Sequence, residues 1–424
     1  MLEEILDIRN IEYACKQVIS NKGAGGVDGM QTDELRDFLK ANWQPFRTGI
    51  LTGSYEPGAV RRVEIPKPQG GTRMLGIPTV KDRLVQQAIA QWMTAKWEPE
   101  FSTHSYGFRQ GKNAHQAIKQ AGTYLNEGKT YVIELDLEKF FDVVSHDKLM
   151  GLLSKKIKDK GTLHLIGKYL RSGIMEGGVV SAREKGTPQG SPLSPLLSNI
   201  LLNELDKELK RRGLSFVRYA DDCSIYVSSA KSAERVMHSI TKYIETKLLL
   251  KVNRTKSKIS RPTQSTLLGY SFYQVKTGWK PRIAPKTMEK IKRKIKTVLK
   301  RNMAESVLSK FTQLSQIVRG WVNYFLLADG KRNMEKLDGL MCSRIRTILW
   351  HQWKRPKTRR RNLLKMGVER GKAYMWSNSS KGPCRIGHSP IMQTTFNYQW
   401  LDRNGLVRFY RHYHQCKEIQ LSLF

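Results

Sequence analysis

Alternating apolar and polar positions predict several β-strands in the first two thirds of the chain. Residues 60–65 alternate and run into a stretch rich in proline and glycine that ends at Arg73, which predicts a hairpin with cationic residues in its turn. Residues 131–137, YVIELDL, form a second alternating run that places Glu134 and Asp136 on the same face. A carboxylate in such an apolar run needs a partner.

Helical periodicity separates these runs. It appears at residues 82–92 and 233–244, and after Ser194 and Pro195, which suit the N-cap and first position of a helix. The first 60 residues also read as helical, with a glycine-rich interruption at 21–29 and a new helix from Thr32 and Asp33. Interleaved hairpins and helices predict an α+β fold, followed by an all-helical segment from about residue 284.

Composition adds a strong basic excess to this picture. The 424 residues include 74 Lys+Arg and 37 Asp+Glu, a formal net charge of +37, and 39% are hydrophobic, enough for a sizeable core in two or three domains. No apolar run is long enough to cross a membrane, and the acidic start does not suit a signal peptide. Five dispersed cysteines fit neither a disulfide framework nor a zinc site. We expect a protein that stays in the cytoplasm.

The positive charge is concentrated in the last 144 residues. They hold 31 Lys+Arg and 8 Asp+Glu, a net +23 that leaves +14 for the first 280. Residues 286–301 predict a helix with one apolar and one cationic face, and residues 350–361 interleave tryptophans with basic residues. Nucleic acid is the predicted partner, and a solvated charged face is the alternative. The candidate phosphate contacts are Lys354, Arg355, Arg359, Arg360 and Arg361.

Three aspartates are the candidate chemical centre. Asp221 and Asp222 lie between two short predicted strands, 216–220 and 223–227, and Asp136 lies on the otherwise apolar predicted strand 131–137, 85 residues before Asp221. Carboxylates converging from neighbouring strands could hold two Mg²⁺ ions for phosphoryl transfer. Adjacent strand residues point oppositely, so both aspartates can face one ion only if the turn redirects one, and Asp221 is the firmer candidate. A plain Asp-Asp turn is the alternative.

The motifs around these aspartates resemble those of reverse transcriptases. Residues 219–222, YADD, resemble the catalytic hairpin of that family, 134–142 its first catalytic motif, and 186–195 the motif that supports template and nucleotide. The resemblance is closest to bacterial group II intron-encoded proteins of the type without an endonuclease domain. The blocks that carry it are 21–29, 104–109, 250–257 and 319–325.

This resemblance implies a metal site and a general acid. Asp136, Asp221 and Asp222 would bind two Mg²⁺ ions, with Mn²⁺ as an alternative ion, and the backbone carbonyl of Leu137 would be an extra ligand. Lys256 resembles the lysine proposed to protonate the leaving pyrophosphate, and Lys258 competes for that assignment.

The resemblance also implies contacts to a deoxynucleoside triphosphate. Lys67 and Arg73 would clamp its phosphates, Gln189 and Arg109 would line its pocket, and Phe141 would exclude a 2′-hydroxyl, with core packing as the alternative for this ring. Two positions depart from the family pattern, where Ser191 replaces a glycine and Gln110 replaces a proline. Neither departure removes a metal ligand.

The implied architecture is a right-hand polymerase with four parts. They are an N-terminal extension of the fingers with a glycine-rich lid loop (1–60), fingers and palm (61–283), a helical thumb or maturase domain (284–361) and a small basic DNA-binding domain (362–424). We expect it to copy an RNA template from a DNA primer and to bind the group II intron RNA and target DNA. We expect it to work in a cytoplasmic ribonucleoprotein and not at a membrane. Two alternatives stay open: a bacterial reverse transcriptase outside introns, in repair or defence, and an RNA-binding splicing cofactor.

Overall fold

A computed structural model describes residues 1–66, 71–176, 179–181, 185–188, 190–300 and 305–422. The chain divides into two compact units, Met1–Arg261 and Pro262–Phe424. These units are coarser than the four domains expected from the sequence, whose bounds stay a prediction. All five cysteines are free.

The first unit combines helices with two sheets. Its helices are α1 (Leu2–Ile5), α2 (Ile8–Ser20), α3 (Leu35–Thr52), α4 (Val80–Trp97), α5 (Ala114–Asn126), α6 (Phe140–Val143), α7 (His146–Leu153), α8 (Lys160–Arg171), α9 (Ser194–Arg211) and α10 (Ala230–Lys247). Its strands are β1 (Val60–Pro66), β2 (Thr72–Ile77), β3 (Tyr131–Leu135), β4 (Ile174–Glu176), β5 (Val179–Ser181), β6 (Ser215–Tyr219), β7 (Asp222–Val227) and β8 (Lys258–Ser260).

Each sheet of this unit has four described strands. The first has the order β2-β1-β4-β5, with β1 and β2 paired antiparallel, which confirms the predicted hairpin. The second has the order β6-β7-β3-β8, and its pairs are antiparallel. Apolar side chains of α4, α9 and the second sheet share one core that includes Leu84, Ile133, Leu201 and Ile225, each fully buried. The second sheet therefore packs against the helices through this core.

Element boundaries differ slightly from the periodicity. Helix α9 begins at Ser194 rather than after it, because Leu193 occupies the cap and the Ser194 hydroxyl donates to the carbonyl of Pro188. Helix α3 begins at Leu35, two residues beyond the predicted start. Strand β3 ends at Leu135, so Asp136 lies just beyond the strand instead of within it. The last difference frees Asp136 from the pleat of the sheet.

The second unit begins with a hairpin of β9 (Tyr270–Val275) and β10 (Gly278–Ile283). Helices follow this hairpin over the described residues, in agreement with the all-helical segment predicted from about residue 284. They are α11 (Pro285–Val298), α12 (Phe311–Tyr324), α13 (Lys331–Gln352), α14 (Pro356–Lys365), α15 (Arg370–Ser377), α16 (Pro383–Gly387), α17 (Pro390–Thr395), α18 (Tyr398–Arg403) and α19 (Phe409–Ser422).

This mixture of strands and helices confirms the α+β class at the level of secondary structure. Over the described residues, no helix is both long and apolar enough to cross a membrane.

Candidate active site

The hairpin of β6 and β7 positions two of the three candidate aspartates. Tyr219 pairs with Asp222, so Ala220 and Asp221 form a two-residue turn. Ala220 has φ of 57°, in the left-handed region that a two-residue hairpin turn requires at its first central position. Asp221 is therefore the second residue of the turn, and Asp222 is the first residue of β7. The turn supplies the redirection that two adjacent aspartates need before both can face one site.

Asp136 is carried to the same edge of the sheet by β3. Leu135 pairs with Cys223, the residue after Asp222, so Asp136 follows β3 beside the start of β7. Its backbone is fixed on both sides: its amide donates to the hydroxyl of Ser257 over 3.0 Å, and its carbonyl accepts from the amide of Asn253 over 2.9 Å. The next residue, Leu137, is bridged to Val252. Three aspartates from three adjoining strand ends thus converge.

The three carboxylates lie close enough to influence one another's ionisation. The pKa of Asp222 is raised to about 6, first because the surrounding protein partly desolvates its carboxyl and then because of the like charges of Asp221 and Asp136. The side chain nevertheless keeps an exposed surface. It therefore remains open to an ion that would neutralise the repulsion.

Two lysines lie near these carboxylates, and the structure distinguishes them. Lys256 Nζ lies 3.7 Å from Asp136 Oδ2, and its charge opposes the rise in the pKa of Asp222. Lys258 Nζ instead lies 3.6 Å from Oε2 of Glu134, which is two residues before Asp136. Of the two candidates, Lys256 is the one at the three aspartates.

The donor set fits a hard divalent ion. Carboxylate oxygens are the ligands that Mg²⁺ prefers, and three carboxylates against one lysine leave an uncompensated negative charge. Among the described residues no group of three or more His, Cys, Asp or Glu side chains is spaced so that it could hold a metal ion in this conformation. Holding an ion would require these aspartates to lie closer together than they do in this arrangement.

A cavity of about 560 Å³ opens beside the carboxylates and has the size of a small-ligand site. Its wall includes Asp221 and Phe141, and the loop 21–29 contributes Asn21 and Gly23. Arg83 holds that loop, because its Nη2 donates to the carbonyl of Ala24 over 2.5 Å. The glycine-rich segment thus borders the site rather than merely turning the chain.

Phe141 packs against the same core as its neighbour Phe140 but is more exposed. Phe140 is 2% exposed within the main core, whereas Phe141 is half-buried and lines the cavity, with the two rings 5.2 Å apart. The backbone of Phe141 is fixed by Thr187, whose amide donates to its carbonyl over 2.6 Å. Gly186 allows this approach, since a Cβ there would lie 2.7 Å from the same carbonyl. The ring is therefore held at the cavity wall.

Ser191, one of the two departures from the family pattern, lies in the same wall. Its hydroxyl donates to Oε1 of Gln86 on α4, and both side chains are buried. The hydroxyl also accepts from the amide of Leu193. The hydrogen bond from Ser191 to Gln86 connects the segment before α9 to α4, and a glycine at position 191 could not form it. Gln110, the other departure, is exposed and lines a second groove.

Arg109 lies away from the cavity. Its guanidinium donates to Glu98 over 2.6 and 2.9 Å and to the carbonyls of Ser102 and Ser105, and only 5% of the side chain is exposed. In this arrangement it braces the loop it belongs to, and its expected nucleotide contact stays a prediction. Lys67 and Gln189 lie outside the described residues, as does the side chain of Arg73.

The basic run 350–361 divides into inward and outward members. Trp350 is fully buried in a small core of the second unit, and Arg359 stacks on its ring at 4.7 Å while donating to the carbonyl of Trp353 over 2.9 Å. Of the five candidate phosphate contacts in this run, four have exposed side chains: Lys354, Arg355, Arg360 and Arg361. Arg359 thus has a contact within the fold, and the exposed four are better placed to meet phosphate.

Residues 65–272 match the reverse transcriptase (RNA-dependent DNA polymerase) family, and residues 288–367 match the maturase-specific domain of group II introns. Protein YkfC of Escherichia coli is 36% identical over 286 residues, which cover 58% of this chain and 75% of YkfC.

Two further relatives match over a smaller share of their own length. Group II intron-encoded protein LtrA of Lactococcus lactis subsp. cremoris is 34% identical over 239 residues, 56% of this chain and 39% of LtrA. Retron Ec86 reverse transcriptase of Escherichia coli is 27% identical over 250 residues, 58% of this chain and 69% of the retron protein. The maturase-specific match, joined to a reverse transcriptase domain, distinguishes the intron-encoded group. The chain therefore belongs to the group II intron reverse transcriptase/maturase family, and its activity is that of an RNA-directed DNA polymerase.

Proposed function

We propose that Asp136, Asp221 and Asp222 form a two-metal centre that extends a DNA primer along an RNA template. The observation that carries this proposal is the meeting of three carboxylates at one sheet edge, beside a cavity, with the pKa of Asp222 raised to about 6 by desolvation and by the other two. Two Mg²⁺ ions bound there would activate the primer 3′-oxygen and stabilise the leaving pyrophosphate oxygens. Deprotonated carboxylates are needed to hold them.

The residues around the centre have complementary tasks in this proposal. Lys256, 3.7 Å from Asp136, would protonate the leaving pyrophosphate. Phe141 would lie under the sugar and exclude a 2′-hydroxyl, because its ring is fixed at the cavity wall. The contacts expected of Lys67, Arg73 and Gln189 with the nucleotide remain part of the proposal without support from the described side chains.

Primer extension tests the metal assignment. Asp136→Asn and Asp221→Asn keep the side-chain volume but remove the charge that holds the ions, and we expect each to lower the extension rate by at least about 10³-fold, since metal-ion catalysis supplies several kcal/mol. Asp37→Asn is the matched control, since Asp37 is exposed and pairs only with Lys40 among the described residues. RNA affinity should be unchanged in all three. Undiminished extension by either active-site variant would refute the assignment.

We further propose that the same protein assists splicing of a group II intron RNA and then copies it during insertion into target DNA. The maturase-specific match and the net +23 after residue 280 support this role. It would act in a cytoplasmic ribonucleoprotein, with domains as bounded in the sequence analysis.

The splicing proposal has its own measurement. Purified Asp221→Asn protein should still accelerate splicing of its cognate intron, because RNA binding does not use the carboxylate. Splicing at the RNA-only rate with both wild type and variant would favour a reverse transcriptase working outside introns, a class to which the retron relative points by name.

A further inference from the structure

A buried arginine lies directly behind the aspartate hairpin. Arg218 on β6 is 0% exposed and forms two short bonds with Asp206 on α9, Nε to Oδ1 over 2.7 Å and Nη2 to Oδ2 over 2.6 Å. Its remaining nitrogen, Nη1, donates over 2.9 Å to the carbonyl of Ala220, the residue before Asp221. The guanidinium therefore joins the core helix to the turn that carries the metal-binding candidate.

A second tie completes this network. Asn199, also on α9 and 1% exposed, accepts from Arg218 Nη1 over 2.9 Å and donates to the carbonyl of Gly107 over 2.9 Å. Gly107 touches the turn from outside, since a Cβ on it would lie 2.3 Å from the amide nitrogen of Ala220. The turn is thus enclosed between the arginine and the loop at Gly107.

The loop on the far side is tied to the same arginine. The amide of Tyr106 donates to the carbonyl of Arg218 over 2.8 Å, and the amide of Arg218 donates to the carbonyl of His104 over 2.9 Å. Backbone and side chain of one residue thus hold two loops in register.

Stability alone does not account for this ion pair. Desolvating two charges costs free energy that their attraction only partly offsets, and apolar residues of similar volume often serve a core as well. What the guanidinium adds is direction, because its planar fork fixes Asp206 on one side and the Ala220 carbonyl on the other. Ala220 needs such a restraint, since its φ of 57° is costly for a residue with a Cβ.

We propose that Arg218, fixed by Asp206 and Asn199, is a positioning residue that sets the metal affinity of the active site. It acts through the Ala220 carbonyl: the bond holds Ala220 in its left-handed conformation and so fixes where Asp221 meets Asp136. When the bond is lost, the turn relaxes, the carboxylates separate, and more Mg²⁺ is needed to bring them together. The inference rests on the proposed metal role of Asp221.

The test is a Mg²⁺ titration of single-nucleotide addition on a saturating primer–template. The double variant Arg218→Met/Asp206→Leu removes both charges together and keeps the site apolar and filled, so the core has no unpaired ion. We expect the Mg²⁺ concentration at half-maximal rate to rise about tenfold or more, while the rate at saturating Mg²⁺ stays within about threefold of wild type. Arg211→Met is the control. Arg211 lies on α9, as Asp206 does, and the change removes two hydrogen bonds from an exposed arginine to Glu208.

Asn199→Ala is the second variant, for the case in which the double variant does not fold. It leaves the Arg218–Asp206 pair intact but releases Gly107 and one bond to the guanidinium, and a smaller rise of about threefold is expected. Arg218→Lys should fall between wild type and the double variant, because lysine keeps the charge but not the fork.

Two outcomes would overturn the inference. If folded variants lose maximal rate with no change in the Mg²⁺ requirement, or lose nothing, Arg218 serves only the fold. Asp221→Asn, measured alongside, separates this from failure of the proposed function: if that variant extends primers normally, the metal assignment itself is wrong. If it is inactive while the Mg²⁺ requirement of the Arg218 variants is unchanged, only the positioning role is refuted.

Discussion

Asp222→Asn should stabilise the protein in the absence of metal while it weakens metal binding. The fold raises the pKa of Asp222 from 3.8 to about 6, so the ionised carboxyl is the form the folded state disfavours. Below about pH 4 the group is protonated in both folded and unfolded chains and the cost is absent; it grows between about pH 4 and 6 and is constant above that.

The size of the gain follows from the same shift. About two pKa units correspond to roughly 3 kcal/mol for a group shielded from water. Because the Asp222 side chain is exposed, screening by solvent reduces this to about 1 kcal/mol. For a domain of this size that gain raises the melting temperature by about 2–4 °C.

Thermal unfolding in EDTA at low salt measures this gain. At pH 7.5 the first transition of Asp222→Asn should lie above that of wild type, and at pH 4.5 the difference should be smaller, as linkage requires. Addition of Mg²⁺ should stabilise wild type more than the variant, because only wild type keeps all three carboxylates. Asp222→Glu, which keeps the charge, should show no comparable gain. An equal or lower melting temperature for Asp222→Asn at pH 7.5, or a gain independent of pH, would refute the reasoning.

Two further predictions use the same geometry. Phe141→Ala should raise ribonucleotide incorporation relative to deoxyribonucleotide in single-nucleotide insertion assays, because the ring is held at the cavity wall; Phe140→Leu is the core control, and an unchanged ratio would assign Phe141 to packing. Arg360→Gln/Arg361→Gln should flatten the dependence of log RNA affinity on log salt by up to about 1.5 units, since each lost phosphate contact removes about 0.7–0.9. Arg359→Gln should instead mainly lower stability, because Arg359 contacts Trp350 and Trp353 within the fold. Identical slopes for the double variant and wild type would show that Arg360 and Arg361 only face solvent.

The hairpins and most helices could be predicted because their signals are local. The alternation at 60–65 and the flanks of Asp221 and Asp222 depend on a period of two, and the observed strands β1, β6 and β7 follow it. The convergence of Asp136 with the pair could not be derived from spacing alone, because the pairing of β3 with β7 joins residues about 90 positions apart. Predicting this convergence required several motifs that resemble those of reverse transcriptases and follow one another in the same order.

The hydrogen-bond partners of individual arginine side chains could not be predicted from the sequence, for a different reason. Arg109 stands in a motif that implies a place in the nucleotide pocket, and Arg359 in a run that suggests contact with phosphate, yet each donates to carbonyl oxygens of its own neighbourhood. A guanidinium has five donors and satisfies whichever acceptors its backbone places within reach, so its partner depends on tertiary packing rather than on the local pattern. Composition indicated how much positive charge was available, not which arginines remained free to use it.

Arg218 shows what a closer reading of the pattern could have found. In the run FVRYADD, one strand carries a full charge between Val217, which is fully buried, and Tyr219, and α9 carries Asn199 and Asp206 seven residues apart within an apolar stripe. Seven residues are two helical turns, so both polar groups lie on one face and need a common partner there. A charge in a core strand beside two polar residues on a core helix is a local conflict with hydrophobic patterning, and such conflicts concentrate where function demands them. The conflict lies three residues before Asp221, which is why the metal dependence of the Arg218 variants, more than their stability, will show what the ion pair is for.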